Sequence, residues 1–111
     1  MRAQHQTGKT APNLVMWHRR ELDRILRVYG GMVAQGHWRD YAIDGLADCA
    51  IFSIYRMASE CPLYSVIKSP ADARKQGQYR IVGMAGQVLK RGHDLDQVLR
   101  VFDKKRLRLV N

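Results

Sequence analysis

Cysteine is scarce in this chain: Cys49 and Cys61 stand twelve positions apart, and no CxxC pair occurs. Without such a pair the usual zinc knuckle cannot be built, and with no export signal the two thiols are expected to be reduced. His5, His18, His37 and His93 add no HxxxH spacing that would bring two metal ligands onto one turn. Long apolar runs are lacking too, since none approaches the roughly 18 residues of a membrane span. Met1 to Thr10 has no apolar stretch of the signal-peptide kind, so the expected setting is cytoplasmic, without a membrane partner. No GxxxxGK[ST] loop, paired acid–base carboxylates or nucleophile with a neighbouring base occurs, which argues against an enzyme and against a cofactor.

What the chain has in excess is positive charge. Nineteen Lys and Arg face ten Asp and Glu, a formal balance of +9 over 111 residues. The excess is lopsided. Residues 1–55 carry 7 bases and 5 acids, whereas residues 56–111 carry 12 bases and 5 acids. Such a field attracts phosphate backbones or acidic proteins whatever fold lies beneath it.

Length and a 46% hydrophobic content fit one domain with its own core. Residues 1–12 are polar and aperiodic and are expected to form a flexible N-terminal arm, leaving residues 13–111 as a single α+β domain. From Asn13 the pattern is helical: Leu22, Ile25, Leu26, Tyr29, Met32 and Val33 share one face, the register runs through Gly30 and Gly31, and Gly36 can cap the end. Arg20, Arg24 and Arg27 form another stripe. His37–Leu46 reads as a connection with a helical turn at Asp40–Ile43. Asp40, Asp44 and Asp48 then fall at helical spacing, as a solvated face or caps.

Cys49–Met57 reads as a central strand, with Cys49 a small core residue, and Leu63–Lys68 as a second strand. Ser69-Pro70-Ala71-Asp72 opens a short helix that Gly77 ends. Tyr79–Met84 and Gln87–Lys90 flank a turn at Ala85-Gly86. Asp94 caps a helix with Leu95, Val98, Leu99 and Phe102 on its buried side, and Leu107 and Leu109 alternate as in a last strand. Both helical stripes are expected to be buried against a sheet containing Ile51, Phe52, Ile54, Ile81 and Val88. The predicted fold is therefore a mainly antiparallel sheet of four to five strands, with two amphipathic helices packed on it and a short connecting helix.

Several stretches carry a resemblance: Trp38-Arg39-Asp40-Tyr41-Ala42-Ile43-Asp44, Ala58-Ser59-Glu60-Cys61-Pro62-Leu63-Tyr64, Ala73-Arg74-Lys75-Gln76-Gly77 and Leu89-Lys90-Arg91-Gly92-His93. Together they are similar to a small alphaproteobacterial family, domain of unknown function 2794, from about Trp17 to the C-terminus. Cys61 and Gly31 depart from its pattern, where Met and Arg would stand. The resemblance implies a bacterial cytoplasmic protein and brings no activity, ligand or catalytic residue with it.

The candidate binding residues are Arg74, Lys75, Arg80, Lys90, Arg91, Lys104, Lys105 and Arg106, all in the second half. Tyr64 and Tyr79 could stack on bases if they face outward. Lys90-Arg91-Gly92-His93 precedes a helix start, where free N–H groups suit a phosphate, although Asp94 and Asp96 compete there. Trp17, Trp38 and Tyr41 read as core cover. The resulting expectation is a non-enzymatic module that binds nucleic acid or a ribonucleoprotein, RNA ahead of DNA because no groove-reading helix is visible. The alternative is a protein-interaction or regulatory module docking on an acidic protein partner.

Overall fold

The structure is a computed structural model that describes residues 13–56 and 61–103. The polar arm expected at residues 1–12, and the tail with Lys104, Lys105, Arg106 and its possible strand, lie outside the described residues. In chain order the elements are α1 (Arg19–Ala34), β1 (Asp40–Gly45), β2 (Ala50–Tyr55), β3 (Tyr64–Lys68), a 3-10 turn (Pro70–Asp72), β4 (Tyr79–Gly83), β5 (Val88–Gly92) and α2 (Leu95–Leu99). All sheet neighbours are antiparallel and the spatial order follows the chain, β1-β2-β3-β4-β5. This is an α+β meander.

The first helix starts six residues later than its periodicity predicts. The Val15 N–H is donated to the Leu46 carbonyl at 2.7 Å, which holds residues 14–18 beside the end of β1 and seats Trp17 in the core. The chain turns helical only where the Glu21 carboxylate accepts the His18 N–H at 2.8 Å, satisfying one of the donors a helix start leaves open. The helix runs through Gly30 and Gly31 to Ala34. Gly36 then takes the left-handed conformation, φ +82°, that ends helices cheaply.

The connection expected at residues 37–46 is largely a strand. Six rungs, from Asp40↔Tyr55 to Gly45↔Ala50, tie it to β2, and Leu46 N–H to the Cys49 carbonyl closes the hairpin. Strand alternation, not a helical turn, therefore decides where Asp40 and Asp44 go: both lie on the same face of β1. Ser69-Pro70 starts only a 3-10 turn, because the Asp72 carbonyl gathers the N–H groups of Lys75, Gln76 and Gly77 and turns the chain back. At Gly77, φ +95° and the Gly92 backbone, which a Cβ there would strike, leave no room for a side chain.

The sheet has two unlike faces. One carries Ala50, Phe52, Ile54, Val66, Lys68, Tyr79 and Ile81, all buried. Against it stand Ile25 and Met32 from α1, Leu95, Val98 and Leu99 from α2, and Trp38 and Phe102. Tyr29 of α1 meets Phe52 at 6.1 Å and Tyr41 at 5.0 Å between ring centroids, and Phe102 meets Trp38 edge-on at 4.9 Å. The other face presents Ile51, Ser53 and Tyr55 from β2, Ser65 and Ile67 from β3, and Arg80 and Val82 from β4. All five residues expected in the sheet, Ile51, Phe52, Ile54, Ile81 and Val88, lie in it, with Ile51 half-buried on this second face and Val88 exposed.

Candidate polyanion-binding surface

Cross-strand register fixes which charges meet. One row crosses the whole sheet: Asp44↔Ile51↔Ile67↔Arg80↔Arg91. Partners in an antiparallel rung share a face, so the row runs from an acid through two isoleucines to two adjacent arginines. Like charges directly opposite cost a few tenths to ~1 kcal/mol. Arg80 is oriented by donating from Nη1 to Ser69 Oγ at 2.9 Å.

The turn bearing Arg74 and Lys75, both exposed, sits at this end of the sheet. Gly77 packs on the backbone of Gly92, the residue after Arg91, and Ser69 N–H reaches the Gln78 carbonyl at 2.7 Å. Arg74, Lys75, Arg80 and Arg91 thus gather at one corner, with Asp72 as the acid of the turn. Lys90 is exposed on β5 but belongs to the neighbouring rung, opposite Ile81. It is not in the row.

Lys68 shows that not every base of the second half reaches the surface. It lies on the helix side of β3, where Nζ donates to Glu21 Oε1 at 2.8 Å and to the Met16 carbonyl at 2.9 Å, and stands 5.9 Å from the Trp17 ring centroid. Tyr79 Oη donates to the other Glu21 oxygen. Burial alone would raise the Glu21 pKa; the hydrogen bonds from Lys68, Tyr79 and the His18 N–H outweigh it and hold the carboxylate below its ordinary value. Tyr79 is pushed well above the ordinary phenol value by burial and by the Glu21 carboxylate. The sequence reading missed this cluster. Its one trace was a lysine at an inward position of β3, two residues after Val66.

Both tyrosines considered for base stacking face the core. Tyr79 is bound to Glu21, and Tyr64 lies among Phe102 and Trp38, at 5.1 and 6.0 Å. Alternation explains it, because they pair with Lys68 and Gly83 on the helix side. Trp17 and Trp38 are core cover as expected, while Tyr41 is 38% exposed. The corner therefore offers guanidinium and ammonium groups without a stacking platform made from these rings.

The phosphate position expected ahead of α2 is taken by the protein itself: Asp94 Oδ1 accepts the Asp96 N–H at 3.0 Å. The α2 helix is only five residues long. Arg24, Arg27 and Arg100 converge on a cleft of about 100 Å³ between the helices, but Asp96 and Asp103 line it too, and Arg24 Nε is 3.5 Å from Asp96. Cys49 is half-buried at the end of β2 rather than in the core, its thiol pKa raised by burial and by Asp48 against a smaller opposing effect of Arg80. Among the described residues no three His, Cys, Asp or Glu side chains gather as metal ligands, and no helix is long and apolar enough to cross a membrane.

Fold and surface together define the chain as a five-stranded antiparallel α+β module with a basic corner. It belongs to the family described as protein of unknown function (DUF2794), whose model matches residues 15–99. The match takes in α1, the entire sheet and α2. No curated protein and no solved structure matches the chain.

Proposed function

We propose that this chain is a non-enzymatic module that binds the phosphate backbone of nucleic acid through the corner formed by Arg74, Lys75, Arg80 and Arg91. The observation that carries this reading is the rung Arg80↔Arg91, two arginines set opposite each other beside an exposed basic turn. Phosphate oxygens relieve that repulsion and accept planar guanidinium forks. With Tyr64 and Tyr79 turned inward, contacts at the corner go to the backbone and carry no base identity. Lys90 is exposed on β5 but on the opposite face from Arg80 and Arg91, so it, like Lys104, Lys105 and Arg106, is assigned to polyanion binding on sequence alone. RNA is favoured over DNA because strands and a turn, not a helix, build the corner, and A-form duplexes are met through phosphates and 2′-hydroxyls. The module acts in the bacterial cytoplasm, on RNA or on a ribonucleoprotein.

The half-buried Ile51, Ile67 and Val82 on the same face favour a second reading, docking on an acidic protein partner. The two are separated by titrating short RNA and DNA against salt. Backbone binding falls linearly in log–log form, with a slope of about −0.7 to −0.9 per neutralised phosphate. No binding at low salt, together with a partner retained after nuclease treatment, removes the nucleic-acid reading and leaves the protein one.

A further inference from the structure

At the opposite end of the first hairpin, Arg39 and Arg56 stand just beyond the last rung of the β1–β2 ladder, Asp40↔Tyr55. The Arg39 N–H, donated to the Tyr55 carbonyl at 2.9 Å, fixes the two backbones side by side. Both side chains are exposed, and both line one open cavity of about 390 Å³. The other described residues around it are Val33, Gly36 and Trp38, so no carboxylate is among them. Asp40, next in the chain, is exposed and close enough to Tyr29 to add to burial in raising its phenol pKa, but it does not line the cavity.

The walls differ in kind. Trp38 is 3% exposed and is held between Tyr29, Tyr64 and Phe102, so it closes the inner end of the cavity rigidly with only an edge of its surface. Val33 adds an apolar side that is 39% exposed, and Gly36 leaves the mouth free of a side chain. The size falls within the ~300–1,000 Å³ range of small-molecule pockets, which pair an apolar wall with few polar groups. Two guanidiniums sharing one concavity repel each other and suit a doubly charged oxyanion better than a single charge.

We propose that this cavity binds a small phosphate monoester bearing a planar or apolar group. Its phosphate lies between Arg39 and Arg56, and its organic part rests against Val33 and over Gly36, with Trp38 closing the inner end. The site is separate from the basic corner, which lies across the sheet on β4–β5 and on its other face, so neither proposal depends on the other.

The test titrates the full chain with phenyl phosphate, inorganic phosphate and benzoate, following tryptophan fluorescence and the backbone amide shifts of Val33, Gly36, Arg39 and Arg56. Phenyl phosphate is expected to saturate, with shifts confined to those amides, and to bind at least about tenfold tighter than either of the others, a gap of ~1.4 kcal/mol. R39Q/R56Q should weaken it by about tenfold or more with an unchanged melting temperature, whereas R80Q/R91Q should leave it unaltered. The proposal is overturned by the absence of saturation up to about 10 mM, where affinity is negligible. It is equally overturned by benzoate or inorganic phosphate binding as tightly as the ester, or by undiminished binding in R39Q/R56Q.

Discussion

Lys68 and Arg80 lie on neighbouring strands, each one residue from the other's register partner, since Lys68 pairs with Tyr79 and Ile67 with Arg80. One residue of alternation sends them to opposite sides of the same sheet. Lys68 goes inward, 5% exposed, where a carboxylate, a phenol and a carbonyl hold the network together. Arg80 goes to the face that neither helix covers and meets Arg91. The same charge serves as internal structure in one place and as an unbalanced surface field in the other. Net charge alone does not distinguish them.

Breaking the inner cluster should cost most. Lys68→Met leaves the buried Glu21 carboxylate without its cation and should destabilise by about 3–5 kcal/mol in urea unfolding. Glu21→Leu with Lys68→Met should recover much of that loss, because no uncompensated charge remains. If the double variant is worse than the single, the ion pair matters for more than its charges. On the same face Phe52→Ala should cost about 3–5 kcal/mol, while Ile51→Ala across the sheet should stay below ~2 kcal/mol, the lower end for a buried isoleucine. Equal losses would erase the difference between the faces.

Tyr79→Phe is expected to cost about 1–3 kcal/mol by removing one donor from buried Glu21. Gly77→Ala should lose more than ~1 kcal/mol, since a positive φ and the Gly92 backbone both oppose a side chain. The cluster also gives stability a signed pH dependence. The Glu21 pKa is lower in the folded chain than its ordinary 4.5, so its contribution is present above that value and lost as pH falls through the folded pKa. The Tyr79 pKa is raised above 10.0, so its contribution is present below pH 10 and lost as pH rises beyond it. A melting temperature flat from acid to alkali in wild type, or sloping identically in Tyr79→Phe, would contradict this. Smallest of all, Arg80→Ala and Arg91→Ala should each change stability by no more than about 1 kcal/mol, because only the Arg80–Ser69 hydrogen bond and the mutual repulsion are at stake.

Much of this was legible before the fold was known. β-Branched and aromatic content placed β2, turn signals at Pro62, Gly77 and Ala85-Gly86 set off β3 to β5 close to where they stand, and the 3.6-residue period gave Leu22–Val33 and Leu95–Phe102. Residues 40–45 were missed because their aspartates at every fourth position imitate a helix face, while pairing to β2 overrides that local pattern. The helix start was placed early because Leu14, Val15 and Trp17 are apolar for another reason: they run beside the end of β1. The corner was half legible. Arg74, Lys75, Arg80 and Arg91 stood out by type, but only register shows that Arg80 and Arg91 are opposite each other and that Lys90 is one rung away. Glu21, Lys68 and Tyr79, separated by up to 58 positions, leave no local signal.

The most direct test compares two charge reversals of equal size in the whole chain, binding a short RNA duplex across a salt series. One variant carries Glu at Arg74, Arg80 and Arg91, and the other carries Glu at Arg20, Arg24 and Arg27 on the exposed stripe of α1. A backbone-binding corner predicts that the first reversal abolishes most of the affinity and flattens the salt slope by about one unit per lost phosphate contact, while the second lowers affinity only modestly. Equal losses from the two reversals would show that net charge, not the Arg80–Arg91 corner, attracts the polyanion, and would contradict the account.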